Sequence, residues 1–281
     1  MTKIAILTDS TCDLPAETLA ALDIHVVPLH IQMGTQSFLD GVNISKDTFY
    51  ERLPAFDPSP TTAAPGPQVF LDQFTALAGR GYRAILALHI AEALSATVNS
   101  ARTAAREFTR LPVTVLDSGQ LSMGLGFLVE RAAQLAQAGA GMPEIIQAVE
   151  AMMPRTHVFA AVDTLEYLRR SGRMHFAVSR LGELLRIKPL LYMNQGKPEA
   201  HRVRTRRGAH ERLFSWLEAL APLERLAVLH AGVQADAEAL REKARAFWPD
   251  SGDVLVQQIT PVLGAHLGVG ALGFACVSQG G

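Results

Sequence analysis

Four short apolar segments in the first half of the chain are each followed by polar residues and then by a helical pattern. These segments are Ile4–Leu7, His25–Ile31, Arg83–His89 and Val113–Leu116. Apolar strands that alternate with helices are typical of a parallel sheet covered on both faces. The sequence therefore predicts an α/β fold in which a mainly parallel N-terminal sheet has helices on both faces.

The helices of this half are predicted from their capping residues and their apolar spacing. Asp13 is expected to cap a helix around Pro15–Leu22, and Ser45 to begin one that continues to Leu53. Further helices are predicted over Val69–Ala78, Leu128–Ala138 and Met142–Met153. The proline-rich stretch Pro54–Pro67 has no such pattern, and it is interpreted either as a surface linker or as a binding loop.

The pattern changes after Pro154, and the second half is predicted to be α+β. A helix from Leu165 should stop at Ser171-Gly172, because glycine tolerates the backbone angles of a helix C-terminus. A turn at Asn194–Lys197 predicts an antiparallel hairpin. The other predicted elements are strands at His157–Asp163, Ile187–Leu191, Arg225–His230 and Val254–Ile259, and helices at Phe176–Leu185 and Asp236–Phe247. The boundary near residue 153 divides the chain into an α/β domain, 1–153, and an α+β domain, 154–281.

Composition excludes several classes of protein. Hydrophobic residues make up 48% of the 281 residues and charged residues 19%, which favours a folded chain with a sizeable core. The formal net charge of −1 argues against a general nucleic-acid binder. The two cysteines have no metal-ligand spacing, so we expect a reduced, cytoplasmic protein without a metal site.

One uncharged stretch, Ile259–Val277, approaches the length of a membrane span. It contains Pro261, His266 and several glycines, which favours a glycine-rich loop followed by a buried strand. We therefore expect no stable membrane insertion. The G-x-G-x-x-G pattern within this stretch has no room for a βαβ unit, and it is discounted as a dinucleotide site.

Polar side chains recur where the predicted strands end. Ser10, Ser95 and Ser118 each follow such a strand, and the ends of parallel strands converge on one crevice. Ser95 also precedes a predicted helix, whose free N–H groups favour an anion, although an ordinary helix cap would use the same residue. Neutral hydroxyls of this kind are better suited to binding a small anion than to breaking a bond.

Three further polar residues are candidates outside these strand ends. Thr62 lies on the proline-rich stretch, Arg173 on the turn after Ser171-Gly172, and His266 in the glycine-rich stretch. Each has a simpler interpretation, respectively as part of a linker, as a solvated arginine and as a buried structural histidine. An enzyme, a hydrolase or transferase using Ser95 or Ser10 with His266, is one alternative, with Asp117 as a conceivable third member of a triad.

The chain resembles the DegV family of bacterial fatty-acid-binding proteins over nearly its full length. The order and spacing of short segments carry the resemblance: Thr8–Thr11, Asp40-Gly41, Pro60–Thr62, Leu94–Thr97, Asp117-Ser118, Ser122–Gly126, Leu165–Leu168, Gly172-Arg173, Ile187–Pro189, Val203–Thr205 and Gly264–Gly268.

The resemblance implies one bound long-chain fatty acid, such as palmitate, between and within the two domains. Thr62 and Ser95 match the family's carboxylate-binding positions, and the acyl tail would be buried in the C-terminal half. Ser10, Ser118, His266 and Arg173 are expected to form a secondary network around the head group. Such a protein is a carrier without catalysis or cofactor, and it hands its ligand to a separate fatty-acid kinase that makes the acyl phosphate.

The sequence departs from the family pattern at several positions. Ala63 replaces a usual serine, and Ala91-Glu92-Ala93 replaces Ser-Ser-Gly. Ser171 and Val269 stand where glycine and proline are usual. The lost hydroxyls would weaken the carboxylate site, and Glu92 would repel an anion if it pointed inward.

A last alternative is a regulatory docking module with a structural lipid, suggested by the basic run Arg202–Arg212.

Overall fold

The predicted parallel sheet is present, with four strands in the order β2-β1-β6-β7. The computed structural model describes residues 3–173, 188–250, 252 and 254–280. All neighbouring strands of this sheet are parallel. The strands are β1 (Ile4–Asp9), β2 (Ile24–Val27), β6 (Ala84–His89) and β7 (Val113–Asp117).

Helices cover both faces of this sheet because the side chains of its central strands alternate. Leu7 and Ala87 point towards one apolar cluster, and Ile6 and Leu86 towards another. The first cluster includes α3 (Pro67–Gly79) and α4 (Thr97–Glu107). The second includes α1 (Ala16–Ala21), α5 (Ser122–Gln137) and α6 (Met142–Met152). The predicted α/β fold with helices on both faces is confirmed.

The prediction of a single strand at His25–Ile31 is wrong, because this segment contributes to two strands in different sheets. β2 joins the parallel sheet, and β3 (His30–Met33) is the centre of a three-stranded antiparallel sheet. The partners of β3 are β4 (Gln36–Leu39) and β5 (Thr61–Ala63). The proline-rich stretch is therefore not wholly irregular, since β5 places Thr62 opposite Ile31.

The second half contains a six-stranded mixed sheet in the order β10-β9-β8-β13-β11-β12. Only β11 and β12 run parallel among its neighbouring pairs in the described residues. The predicted hairpin is confirmed as β9 and β10. The strands are β8 (Thr156–Ala161), β9 (Lys188–Asn194), β10 (Lys197–Val203), β11 (Leu223–His230), β12 (Leu255–Gln258) and β13 (Leu272–Ser278).

One face of this sheet packs on two helices and the other faces the first half of the chain. Phe159 and Phe274 pack with α8 (Arg206–Leu220) and α9 (Gln234–Lys243). Val158 and Ala275 instead join the large apolar cluster that contains Ile6. Because this cluster includes both halves, the division at residue 153 stays a prediction.

Three short helices and four 3-10 turns complete the described chain. α2 (Lys46–Arg52) begins at Ser45, whose hydroxyl accepts a hydrogen bond from the Thr48 N–H, as predicted. α7 (Glu166–Arg170) ends before Gly172, whose φ of +74° fits the predicted stop. The third is α10 (Pro261–Leu267), and the turns are Ser10–Cys12, Leu53–Ala55, Met153–Arg155 and Arg245–Phe247.

Two local predictions are wrong. Asp13 does not cap α1, which begins after Pro15 without a side-chain cap; instead, the buried Asp13 carboxylate accepts a hydrogen bond from Ser122 at 2.6 Å. The glycine-rich stretch is not a loop, because α10 occupies its first part and carries His266. The predicted helix Phe176–Leu185 lies outside the described residues.

The described residues contain no helix long and apolar enough to cross a membrane. Cys12 and Cys276 are both buried and unpaired. Burial raises the pKa of the Cys12 thiol to about 12, which leaves it uncharged at neutral pH.

We expect Phe274→Ala to lower the free energy of unfolding by about 3–5 kcal/mol, because it leaves a cavity in the centre of the second sheet. The ring is fully buried, with its centroid 5.9 Å from those of Phe159 and Phe214. Urea unfolding measures the change. Phe274→Leu is the control, with an expected loss of about 1.5 kcal/mol or less. Equal losses for the two variants would contradict a tightly packed ring.

Candidate functional site

A mostly apolar cavity lies between the two halves of the chain. Its volume is about 1040 Å³, including the part that opens to solvent. The first half contributes residues such as Leu29, Ile90 and Leu121, and the second contributes the inner faces of β8, β9 and β10 together with α10. Met193 of β9 is also among the lining residues.

Four of the polar residues singled out from the sequence line this cavity: Thr62, Ser95, Arg173 and His266. They come from four separate parts of the chain, namely β5, the loop before α4, the turn after α7 and α10. The fold therefore brings together an otherwise scattered set. Most of the remaining lining is aliphatic or aromatic.

Thr62 and His266 contact each other directly, with 2.8 Å between Thr62 Oγ1 and His266 Nε2. The hydrogen bond joins the small antiparallel sheet to α10 across the cavity wall. His266 Nδ1 is buried and has no hydrogen-bond partner among the described residues. A ring that bonds through Nε2 can donate there, which leaves the Thr62 hydroxyl proton free for an acceptor in the cavity.

Ser95 is held at the beginning of α4. Its Oγ lies 2.8 Å from Thr97 Oγ1 and accepts a hydrogen bond from the Thr97 N–H at 3.3 Å. This contact resembles a helix cap, which is the simpler role predicted for Ser95. The same residue also lines the cavity, so the two roles are compatible. If Thr97 donates its hydroxyl proton, the Ser95 proton is also directed to an outside acceptor.

The loop that leads to Ser95 is fixed by residues at the ends of the parallel strands. The Asp9 carboxylate accepts hydrogen bonds from the Ile90 N–H at 2.9 Å and from His89 Nδ1 at 3.1 Å. The Ala91 N–H donates to the Gln120 carbonyl at 2.8 Å, and the Ala91 carbonyl accepts from the Ser95 N–H at 3.2 Å. The buried residues at the strand ends therefore hold the backbone of this loop in place, and the loop in turn places Ser95 at the cavity.

Ser10 and Ser118 do not line the cavity, which corrects their expected place in the head-group network. Ser118 Oγ is buried and donates to the His89 carbonyl at 2.7 Å. Ser10 Oγ accepts a hydrogen bond from the Leu29 N–H at 3.2 Å. Strand-end position alone did not distinguish hydroxyls that support loops from hydroxyls that reach the cavity.

Arg173 gives the polar end of the cavity its positive charge. Its Nη1 donates to the Ser171 carbonyl at 2.9 Å, so the guanidinium is tied to its own turn. Burial, and secondarily the charge of Arg173, lower the pKa of His266 to about 4. The imidazole is therefore neutral at pH 7, and it acts as a hydrogen-bonding group rather than as a second cation.

A hydrolytic triad is not assembled from these residues. His266 Nε2 contacts Thr62, whereas the hydroxyl of Ser95 contacts Thr97. Asp117 Oδ1 accepts hydrogen bonds from the N–H groups of Glu92 and Gly119. Since a serine nucleophile needs a base within hydrogen-bond reach, this arrangement does not favour the enzyme alternative.

The departures from the family pattern leave the polar end intact. Glu92 turns away from the cavity towards α4, where its carboxylate accepts hydrogen bonds from Asn99 and Arg102. Ala63 lines the cavity and brings no hydroxyl to it. Ser171 donates its hydroxyl to the Leu168 carbonyl at 3.3 Å.

The basic run Arg202–Arg212 is not a uniform cationic surface. Arg206 contacts Asp163 at 3.4 Å and Arg207 contacts Glu211 at 2.8 Å. The guanidinium of Arg212 lies over the ring of Trp216. Because three of these arginines already have partners, the run gives little support to the docking-module alternative.

The fold and the cavity define an α/β protein with a mostly apolar cavity, whose described lining includes Thr62, Ser95, His266, Arg173 and Glu199. A family model described as "Uncharacterised protein, DegV family" matches residues 3–279. A DegV domain-containing protein of Deinococcus radiodurans is 39% identical, with 97% of this chain and 98% of the relative covered. The chain belongs to the DegV family.

Solved structures of this family share the fold. A Thermus thermophilus DegV family protein, described for its fatty acid binding, has a TM-score of 0.87 and 32% identity, with 99% of this chain and 100% of that chain covered. DegV of Bacillus subtilis, described as a fatty acid binding protein, has a TM-score of 0.89 and 28% identity over 99% and 100% of the chains.

We expect the His266 ring of the ligand-free protein to stay neutral from pH 8 to pH 5.5 and to titrate near pH 4. The unfolded chain takes up this proton first, so stability falls as the pH falls from 6.5 towards 4. NMR of the ring signals measures the midpoint. A midpoint near 6.5 would contradict a buried, neutral ring.

The control for this prediction is His266→Asn. Between pH 7.5 and 4.5, the unfolding free energy of the natural chain should fall by about 2–3 kcal/mol more than that of the variant. The difference between the two chains also removes the opposite contribution of Asp40. Burial raises the Asp40 pKa to about 6, so the folded chain binds that proton more readily.

Proposed function

We propose that this protein binds one long-chain fatty acid, with its carboxylate at Thr62 and Ser95 and its tail along the apolar cavity. The observation that carries the proposal is the Thr62–His266 hydrogen bond in the wall of a mostly apolar cavity. The fatty acids bound by the Thermus and Bacillus relatives support the ligand class.

In this proposal, both hydroxyls donate to the carboxylate. His266 carries its proton on Nε2 and donates it to Thr62 Oγ1, so Thr62 is free to donate outward. Arg173 contributes a positive potential at this end of the cavity, and one of its five N–H groups is used by the Ser171 carbonyl. The carboxylate is thus held mainly by directed hydrogen bonds.

The tail supplies most of the binding free energy. Burying about fifteen methylenes at roughly 0.8 kcal/mol each yields on the order of 12 kcal/mol before ordering costs. Hydrogen bonds to a charged group add about 1.5–3 kcal/mol each. The head group therefore fixes the orientation of the ligand and the tail determines its retention.

Native mass spectrometry of the purified protein, followed by organic extraction, is the first experiment. We expect one fatty acid per chain, or uptake of one added palmitate. A protein that arrives empty and takes up neither palmitate nor oleate would refute the proposal.

We expect Thr62→Val and Ser95→Ala each to weaken palmitate binding by about 10- to 100-fold, because each removes one hydrogen bond to the carboxylate. Binding of 1-hexadecanol, which has the same tail and no charge, should change much less. The ratio of the two affinities is measured by fluorescence displacement. Thr103→Val is the matched control, because its exposed hydroxyl donates to the Asn99 carbonyl on α4 and does not line the cavity. Equal losses for both ligands would contradict a head-group role.

We further propose that the protein presents its fatty acid to a separate fatty-acid kinase. Thr61 and Ala63, on either side of Thr62, are exposed, as is Gly172 beside Arg173. The carboxylate would thus lie at the end of the cavity nearest the surface, where a kinase could transfer a phosphoryl group to it. The nucleotide chemistry belongs to the kinase in this scheme.

We expect His266→Ala to lower acyl-phosphate formation with an ATP-dependent fatty-acid kinase more than it lowers palmitate retention. The ring orients the head group, whereas retention depends on the tail. Arg173→Ala should likewise reduce turnover and leave binding of the tail unchanged. Radiolabelled ATP and extracted lipid measure the two quantities. Equal loss of transfer and retention in His266→Ala would contradict the assigned role.

A further inference from the structure

The position of His266 depends on a helix too short to hold itself in place. α10 has seven residues, and isolated helices of this length are unstable in water. The side chain of its N-cap residue, Thr260, does not cap the helix but donates its hydroxyl to Asp40. One side of α10 lines the cavity with Val262, Leu263 and His266. The helix must therefore be fixed from its other side.

Tyr50 of α2 packs against that other side. Its side chain is only 5% exposed, and its hydroxyl donates to the Ile259 carbonyl at 3.1 Å, just before α10. A Cβ atom placed on Gly264 would lie 2.7 Å from Tyr50 Cζ, well inside van der Waals contact. The ring therefore lies directly on the backbone of α10. Gly232, on the Cβ side of Tyr50, also approaches closely.

The close approach of Tyr50 requires glycine at position 264, although glycine is less favourable for a helix than alanine. Its backbone is helical and does not require a positive φ, so alanine would favour the helix by about 1 kcal/mol if the space were empty. The space is occupied by Tyr50. Glycine at this position therefore serves the contact with the ring.

A second tyrosine contacts α10 one turn further on. A Cβ atom on Gly268 would lie 3.1 Å from Tyr167 Cγ, and Tyr167 belongs to α7, the helix that leads to Arg173. His266 lies between the two glycines in sequence. Tyr50 thus holds α10 to α2, and Tyr167 holds it to the segment that carries the arginine.

Lys46 and Asp40 reinforce the same junction. Lys46 Nζ donates to the Gln258 carbonyl at 2.5 Å and lies 3.3 Å from Asp13 Oδ1. Together with the Asp40–Thr260 contact, these bonds attach residues 258–260 to the first half of the chain. Burial raises the pKa of Tyr50 well above 10, so its hydroxyl remains a donor at physiological pH.

We propose that Tyr50 and Tyr167, packed on Gly264 and Gly268, are positioning residues that set the distance between His266 and Thr62. Neither tyrosine lines the cavity, so neither contacts the ligand. The positioning role itself does not require a ligand, because the His266–Thr62 bond exists without one. Only the effect of this positioning on ligand binding rests on the proposed function.

The test uses Gly264→Ala and its compensating double variant. The added methyl should displace α10 by about 1 Å, which breaks the 2.8 Å bond to Thr62. Tyr50→Leu alone leaves a space and loses the bond to Ile259. The double variant Gly264→Ala/Tyr50→Leu fills part of that space and should restore the helix position.

Two readings are made on each variant. In the ligand-free protein, NMR follows the titration midpoint of His266, which should rise in Gly264→Ala, because a displaced ring is less buried and burial is the main cause of its lowered pKa, and return towards the natural value in the double variant. With ligand, the ratio of palmitate to 1-hexadecanol affinity should fall about tenfold and then recover to within threefold. A loss of packing alone would lower the free energy of unfolding and would leave the His266 midpoint and the ratio of affinities unchanged.

The possible results distinguish failure of the positioning role from failure of the proposed function. If Gly264→Ala folds with an unchanged His266 midpoint, the inference is wrong whether or not a fatty acid binds. If the midpoint moves as expected but the natural protein binds no palmitate, the positioning stands and the proposed function fails. Should Gly264→Ala not fold, Tyr50→Leu alone replaces it, and an unchanged midpoint there, with the ring and the bond to Ile259 both removed, overturns the role of Tyr50.

Discussion

The hydrogen bond between Thr62 and His266 is the interaction on which the arrangement of the site depends. It joins residues separated by most of the chain, and it lies in the wall of a cavity that is mostly apolar. Its two partners lie on short elements, β5 and α10, neither of which is stable alone. The site therefore exists only when both halves of the protein are packed together.

The large elements could be predicted because their patterns are local. Runs such as Ile4–Leu7 and Arg83–His89 are apolar over most of their length, and the helices between them show regular spacing. The three-stranded sheet could not be predicted in the same way. β5 has three residues within a proline-rich stretch, and it becomes a strand only by pairing with β3, far away in the sequence. No local pattern contains that pairing.

The site was predicted in part for a similar reason. Thr62, Ser95, Arg173 and His266 were chosen by residue type and by resemblance, and the structure brings them to one cavity. Ser10 and Ser118 met the same strand-end criterion but serve the backbone. α10 did have a signal, with proline at its first position and glycine just after its end. Gly264 within the helix obscured this signal because glycine lowers helix propensity, and the contact with Tyr50 explains its presence.

The neutrality of His266 has a consequence for the reactivity of a carboxylate held at this end of the cavity. A bidentate arginine would engage both carboxylate oxygens and draw on their lone pairs. In the proposed site the carboxylate is bound through the hydroxyls of Thr62 and Ser95, and the imidazole beside them is uncharged. A carboxylate bound through two hydroxyls keeps its full negative charge and retains free lone pairs. Such a group stays nucleophilic, so the site would bind its ligand without quenching the atom that must react next.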